Sequence, residues 1–436
     1  MTGIGFLLAW LRTKITYWRL YMATFWVSAD HTKVIVDAED NPVYSTAEPK
    51  PLGEESRTKI VASDASANSY FGASASIDGD YAIVGADRES TLADRTGAAY
   101  IYHRTARNTW DAGTKIVAND AQALDQFGYS SDISGDYAIV GAWLEDAGGS
   151  SAGAAYIYHR TGTNTWDAGT KIVASDASAN SYFGISVAIS GDYAIVGSYL
   201  HDSDGAAYIY HRTGTNTWDA GTKIVANDAQ ASDLFGISVA INGDYAVVGA
   251  TGEDTGGSGA GAAYIYHRTA TNTWDSGIKI VASDAQAGDK FGSSVAIDGD
   301  YAVVGAENEG AGGVDSGAAY IYHRTDTNTW DSGVKIVASD AHSNDEFGAS
   351  ADISGDYVVV GAPYESALGD ENTGAIYIYH RTDTNTWDSG HKFVLSTPTD
   401  GDYYGVGVGI SGNYVISSAN GDDEGGSSAG AAYILQ

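Results

Sequence analysis

The chain contains no cysteine. Disulfides, thiolate zinc sites and cysteine nucleophiles are therefore excluded, while the compartment stays open. Basic residues are scarce as well: 23 Lys and Arg stand against 56 Asp and Glu, a formal net charge of −33. A protein that holds a nucleic-acid backbone needs basic surface, so nucleic acid is not an expected partner. The charge suits a cation-rich or salty setting or a cationic partner, and it also serves plain solubility. Long apolar runs are missing. The most apolar stretch, residues 4–27, is broken by Arg12, Lys14 and Arg19, each costing about 2.5–3.5 kcal/mol at a membrane centre. The apolar run 5–11 has no basic residue ahead of it, unlike a secretion signal. No Asn-x-Ser/Thr sequon occurs, because the frequent Asn-Thr is followed by Trp.

What the chain has in abundance is repetition. The stretch "FGISVAISGDYAIVGS" (residues 183–198) has close copies beginning at Phe71, Phe127, Phe235, Phe291 and Phe347, and a worn one at Tyr404. The spacings are 56, 56, 52, 56, 56 and 57 residues. Within one unit, residues 183–189 alternate small and apolar side chains, the period of a strand. Ser190-Gly191 reads as a two-residue type I′ turn with both residues at positive φ, matched by Asp78-Gly79, Ser134-Gly135, Asn242-Gly243, Asp298-Gly299 and Ser354-Gly355. Residues 192–197 form a second strand, 206–212 ("AAYIYHR") a third and 218–225 ("WDAGTKIV") a fourth. No helical periodicity appears in the repeats.

Four antiparallel strands per unit, repeated seven times, specify an all-β, seven-bladed β-propeller. Gly, Ser and Ala in the first strand suit the crowded axis. The first repeated element, residues 58–61, is a fourth strand, and the last, residues 431–436, is a third strand. Joined, they close the last blade with strands from both ends of the repeat region and remove the open edge. The propeller spans residues 57–436. Residues 47–56, with Pro49, Pro51 and Gly53, read as a linker. Residues 1–46 do not repeat; "YWRLY" and "KVIV" are expected strands there. That segment reads as an anchor able to associate with a membrane, a targeting segment, or a truncated β domain.

Phe-Gly on one strand with Val-Gly-Ala on the next, complete with Pro at Gly361-Ala362-Pro363, resembles the FG-GAP repeat of integrin α-chain propellers and bacterial surface proteins. The resemblance implies an extracellular or cell-surface binding propeller without catalysis. In integrins some blades carry a calcium loop, D-x-D-x-D-G, between the first and second strands. Here that connection is only "SGD", "DGD" or "NGD". Six to eight oxygens cannot be gathered by so short a hairpin, so those calcium sites do not carry over.

Strand alternation divides the connections between two faces. One face repeats "SGD" and "RTxTNTWD" almost unchanged. The other carries a divergent acidic loop after each second strand, and such variation suits partner contact; in integrins the matching face binds ligand. The loop of residues 199–205, "YLHDSDG", is four residues shorter than most. Trp143, Tyr182, Tyr199 and His201 surround it and form the candidate binding notch for a protein or carbohydrate partner. Paired carboxylates before each Phe-Gly are candidate metal ligands: Asp120 with Asp125, Asp228 with Asp233, Asp284 with Asp289, Asp340 with Asp345. Calcium is the cation such oxygens would take, although Asp in turns commonly bonds backbone instead. Asn68 and Asn180 replace the second partner beside Asp64 and Asp176. No cofactor is required.

His103, His159, His211, His267, His323 and His380 share one strand position, as do the Trp residues of "NTWD". A catalytic constellation is one asymmetric set, so both series read as framework. No nucleophile elbow, phosphate loop or zinc spacing occurs. Two further readings are a purely structural surface or particle component and a glycan-active enzyme using a central carboxylate cluster.

Overall fold

In the computed structural model, the described residues are 57–366 and 371–436, together with the backbone of three short strands nearer the start. The chain divides into two compact units, Met1–Pro51 and Leu52–Gln436. In the first, Thr24–Trp26, Lys33–Val36 and Pro42–Tyr44 form an antiparallel sheet in that order, so "KVIV" is a strand. The expected "YWRLY" strand and the 47–56 linker lie outside the described residues. Among described residues no helix is long and apolar enough to cross a membrane.

The second unit is a seven-bladed propeller. In its first blade, Phe71–Asp78, Tyr81–Ala86 and Ala98–Ala106 pair antiparallel in chain order. The hairpin residues between the first two strands are Gly79 and Asp80, because Asp78 pairs with Tyr81. Gly79 has φ +56 and Asp80 is not at positive φ. This is the type II′ pattern, glycine first, and not the expected type I′. The expected turn is thus displaced by one residue, since Asp78 stays in the ladder.

The expected fourth strand is broken in two. Thr109–Trp110 and Thr114–Ile116 both pair with the third strand. Between them the Asp111 carboxylate accepts hydrogen bonds from the His103 and Gly113 amides, each 3.0 Å. The side chain takes over a ladder bond that backbone would otherwise make, so the strand turns aside there. The first strand also bulges after its Phe-Gly, with a register shift between Phe71 and Ala75.

The last blade orders as Val408–Ser411, Tyr414–Ala419, Ala431–Leu435 and Arg57–Ile60. Ala432 pairs with Ile60 and Tyr433 with Lys59, so strands from both ends of the repeat region close the ring. The hydrophobic core is divided among the gaps between neighbouring blades. In one gap, Tyr81, Ile83 and Ile101 of the first blade meet Phe127, Val140 and Tyr156 of the second. Phe127 is fully buried, edge-on to Tyr156 at 5.5 Å and Tyr158 at 6.1 Å.

Blades touch most closely through glycine. A Cβ on Gly141 would overlap the carbonyl oxygen of Gly184 in the next blade, and Gly249 stands likewise against Gly292. On the outer wall, Asn164 donates to Asp111 of the preceding blade at 2.6 Å, and Asn216 to Asp167 at 2.6 Å.

The contact gives a graded test. Gly249→Ala should cost about 3 kcal/mol, because backbone must move to admit the methyl group. Gly243→Ala, with φ +58 and nothing within 4 Å of its Cβ, should cost about 1–2 kcal/mol from left-handed backbone alone. Urea unfolding measures both, and equal losses would refute close approach as the constraint.

Candidate functional site

The variable face is built on a constant cation. Lys171, on the fourth strand of the second blade, reaches Asp120 at 2.7 Å and Glu145 at 2.7 Å. Tyr156 donates its hydroxyl to the other oxygen of Asp120 at 2.7 Å. The arrangement recurs with Lys279 on Asp228 and Glu253, Lys335 on Asp284 and Glu309, and Lys392 on Asp340 and Glu365. Burial pushes the Asp120 carboxyl up, but the Lys171 and Tyr156 hydrogen bonds outweigh it and hold it below the ordinary carboxylate range. Asp228, Asp284 and Asp340 are held down in the same way by their own Lys and Tyr.

The second member of each pair is placed differently. Asp125 accepts the Gln122 amide at 2.7 Å; Asp233, Asp289 and Asp345 accept those of Gln230, Gln286 and His342, also at 2.7 Å. All four carboxyls are buried. Burial pushes them up, Asp125 to about 6. The loop acids that the Lys residues reach, such as Glu145 and Glu253, are 2% and 3% exposed. They fold inward although their loops are acidic and divergent. Their recurrence at the third loop position was the signal for this, and only pairwise comparison of the loops exposes it.

At the short loop the third position holds His201, which the sequence grouped with the exposed rings. The structure separates it from them. His201 is 2% exposed and sits in a single 3-10 turn, His201–Ser203. Its Nε2 lies 3.3 Å from Asp176 and 3.1 Å from Asp202, and its ring stands edge-on to Tyr208. Donor atoms of these three side chains fall within 4.8 Å of one another. The Lys223 ammonium bonds the same Asp176 and Asp202 oxygens at 2.8 and 3.2 Å, so the cluster already carries a cation.

Trp143, Tyr182 and Tyr199 do come together, and Tyr129 joins them. Ring centroids are 5.2 Å apart for Tyr129–Trp143, 5.1 Å for Trp143–Tyr182 and 5.6 Å for the stacked Tyr182–Tyr199. Tyr129 is 39% exposed and the other three are partly exposed. The Trp143 indole donates to Gln126 Oε1 at 2.9 Å, fixing its plane. Tyr182 has φ +55, and its amide is held by the Ser151 carbonyl of the preceding blade. The result is a continuous aromatic ladder across blades two and three.

Among the first strands lies a cavity of about 200 Å³ with Asp132 and Asp352 on its wall. Asp132 accepts from Ser76 Oγ at 2.6 Å and from the Ile133 and Ile189 amides, each 2.8 Å. Asp352 accepts from the Ile353 and Ile410 amides at 2.8 Å.

The opposite face is framework. His103 stacks on Tyr81 with ring centroids 4.7 Å apart, and Trp166 of the next blade meets the same Tyr81 edge-on. Arg160 donates to the Tyr81 hydroxyl at 3.0 Å and pairs with Asp136.

A family model described as FG-GAP repeat matches residues 55–102, 110–158, 166–210, 218–266, 274–322, 330–379 and 387–435. The chain belongs to the FG-GAP repeat family. Each match runs from one fourth strand to the next third strand, the same cut that the closing blade makes. No curated protein matches the chain.

In this FG-GAP propeller the axial carboxyls are strongly displaced by their surroundings. Burial pushes Asp132 up to about 6 and Asp352 up to about 7, the latter raised further by Asp132 and Asp298 against the pull of its two amide bonds. Such carboxyls hold their protons more tightly folded than unfolded. Their contribution to stability is complete below about pH 4 and is lost as pH rises through 6 to 7. The Lys-bonded aspartates act oppositely, losing theirs as pH falls below their depressed values. Melting temperature should therefore rise from pH 8 to about 5 and fall again in stronger acid. Three blades carry Ala188, Ala240 and Ala296 where Asp132 and Asp352 stand. The double variant Asp132→Ala, Asp352→Ala should reduce the pH 8-to-5 rise by about 1–2 kcal/mol, the remainder belonging to Asp125 and the other raised carboxyls. An unchanged slope in that variant would place the proton uptake elsewhere.

Proposed function

We propose that this FG-GAP propeller is a non-catalytic binding module of the extracellular space or cell surface, holding a carbohydrate partner on its variable face. The observation that carries the reading is the ladder of Tyr129, Trp143, Tyr182 and Tyr199. Four rings in contact, partly exposed beside the shortest loop, present a rigid apolar surface with polar edges. Sugar rings offer matching C–H faces, and a stiff aromatic surface costs little entropy on binding. The family supports a binding role. The His and Trp series support the absence of catalysis, since each copy is used in packing between strands and blades.

Binding to a panel of oligosaccharides, followed by calorimetry, tests the site. Trp143→Ala with Tyr199→Ala should weaken a bound sugar at least tenfold, about 1.4 kcal/mol, with melting temperature little changed. Binding that survives this pair would remove the ladder from the function, and capture of a protein through the same rings would replace the carbohydrate.

Calcium enters the proposal only through the paired aspartates. The ammonium groups of Lys171, Lys279, Lys335 and Lys392 occupy the carboxylate oxygens a cation would use. Melting curves in calcium and in EDTA at fixed salt should superimpose. A ligand at a hundred times its dissociation constant stabilises by about 2.7 kcal/mol, so a drop in EDTA would be easily seen and would return these carboxylates to metal binding.

A further inference from the structure

The loop of the first blade differs from the other six in carrying two arginines, Arg88 and Arg95. The corresponding residues elsewhere include Leu144, Gly252, Asn308 and Tyr364 for the first, and Ser151, Gly259 and Asp315 for the second. Both arginines line one cavity of about 440 Å³, with Tyr70, Asn68, Ser90 and Asp94 on its wall. Arg88 lies over the Tyr70 ring at 4.1 Å, which fixes the guanidinium plane.

These two cations differ from the others on this face. The fourth-strand lysines are bonded to loop carboxylates, and Lys290 bonds Glu307 at 2.9 Å. Arg88 approaches only Asp87, at 3.7 Å, and Arg95 only Asp94, at 3.8 Å. Those separations are too long for hydrogen bonds. Among the described residues no acceptor takes a side-chain N–H from either arginine. Two guanidinium forks with available donors, in a chain of net charge −33, form a local exception to its electrostatics.

The cavity adjoins the aromatic ladder. The Arg95 carbonyl accepts the Gln126 amide at 3.1 Å, and Gln126 in turn holds the Trp143 indole. Tyr129 feels the charge of both Asp87 and Arg88. We propose that the cavity between Arg88 and Arg95 is a carboxylate subsite continuous with the ladder, so that the preferred ligand is a uronate-bearing oligosaccharide. The inference rests on the carbohydrate reading of the ladder. An arginine fork matches a carboxylate in bidentate fashion. Asp94 on the wall and Asp87 beside Arg88 offset the two arginine charges, so the cavity offers directed donors without a large positive field, which disfavours a phosphate dianion, and the acidic surroundings repel densely charged polymers.

The test compares two probes that differ by one charge: a tetrasaccharide ending in glucuronic acid and its methyl ester, each titrated into the full chain. The free acid should bind about tenfold more tightly than the ester, and the preference should shrink as salt rises. Arg88→Ala with Arg95→Ala should abolish the preference while leaving the ester's affinity intact. Arg88→Lys with Arg95→Lys, which keeps charge but loses the fork, should retain only part of it. Trp143→Ala with Tyr199→Ala should weaken both probes. Equal binding of acid and ester, or a preference that survives loss of both arginines, overturns the subsite and leaves the ladder standing. Failure of the unaltered chain to bind either probe overturns the carbohydrate reading and the subsite together.

Discussion

Each blade meets its neighbour through a backbone contact that has no room for a side chain. The glycine of the second strand faces the glycine of the next blade's Phe-Gly, as in Gly85 with Gly128, Gly305 with Gly348 and Gly361 with Gly405. Serines of the first strand donate to the same carbonyls, Ser130 to Gly184 at 2.9 Å and Ser238 to Gly292 at 2.8 Å. The phenylalanine beside each glycine then fills the gap between blades. The two recurring motifs are therefore halves of one contact, which explains their fixed relation while the loops between them drift. Only the junction of the last blade with the first departs, where Ser418 stands against Gly72, beside the blade that strands from both ends of the repeat region close.

The acidic character of the chain has two components. One is structural: a buried loop acid and a turn aspartate share a lysine in most blades, and a tyrosine hydroxyl completes the set. Taking a carboxylate out of water is costly unless it is paired and hydrogen-bonded, and here the buried acid at the third loop position, such as Glu145, Glu253, Glu309 or Glu365, has that lysine within reach. The blades thus bring an internal cation to loops rich in carboxylates. The other component is surface charge, spread over loop tips and hairpins, which bears on solubility and on which ligands can approach.

The fold was legible because two periods coincide in the sequence, the alternation within strands and the near-constant interval between Phe-Gly sites. Errors arose where side chains replace backbone. Asp111 interrupts the fourth strand by bonding its neighbours' amides, and Asp78 remains paired so that the turn begins at Gly79. The ladder was partly legible, since Trp143 and Tyr199 stand out against the equivalent residues of other units, while Tyr182 shares its position with Tyr70 and Tyr403. Tyr129 was missed because it lies in the first strand, where the axis favours small residues. His201 was misplaced because a loop position reads as exposed unless its inward-pointing counterparts, Glu145 and Glu253, are recognised. The axial carboxyls left a weak trace: Asp132 and Asp352 occupy a position that three other blades fill with alanine.

A sevenfold framework offers seven equivalent places to bind, so selectivity must come from positions where the units differ. One such position precedes every Phe-Gly: Tyr70, Gln126, Tyr182, Leu234, Lys290, Glu346 and Tyr403. All are at positive φ, between +53 and +61, a conformation costing a bulky L-residue about 1–2 kcal/mol. Amides at this position bond the preceding blade's loop, as Tyr182 bonds Ser151 and Lys290 bonds Gly259. The backbone conformation is thus enforced by the framework and is indifferent to the side chain. That indifference lets one position carry aromatic, amide, aliphatic, cationic and anionic groups without disturbing the ring. Strain held at variable positions, most of them partly exposed, is the condition under which an otherwise symmetric scaffold acquires a directional binding surface. In this chain the departures from symmetry gather on blades one to three, where the arginine pair, the aromatic ladder and the shortest loop adjoin.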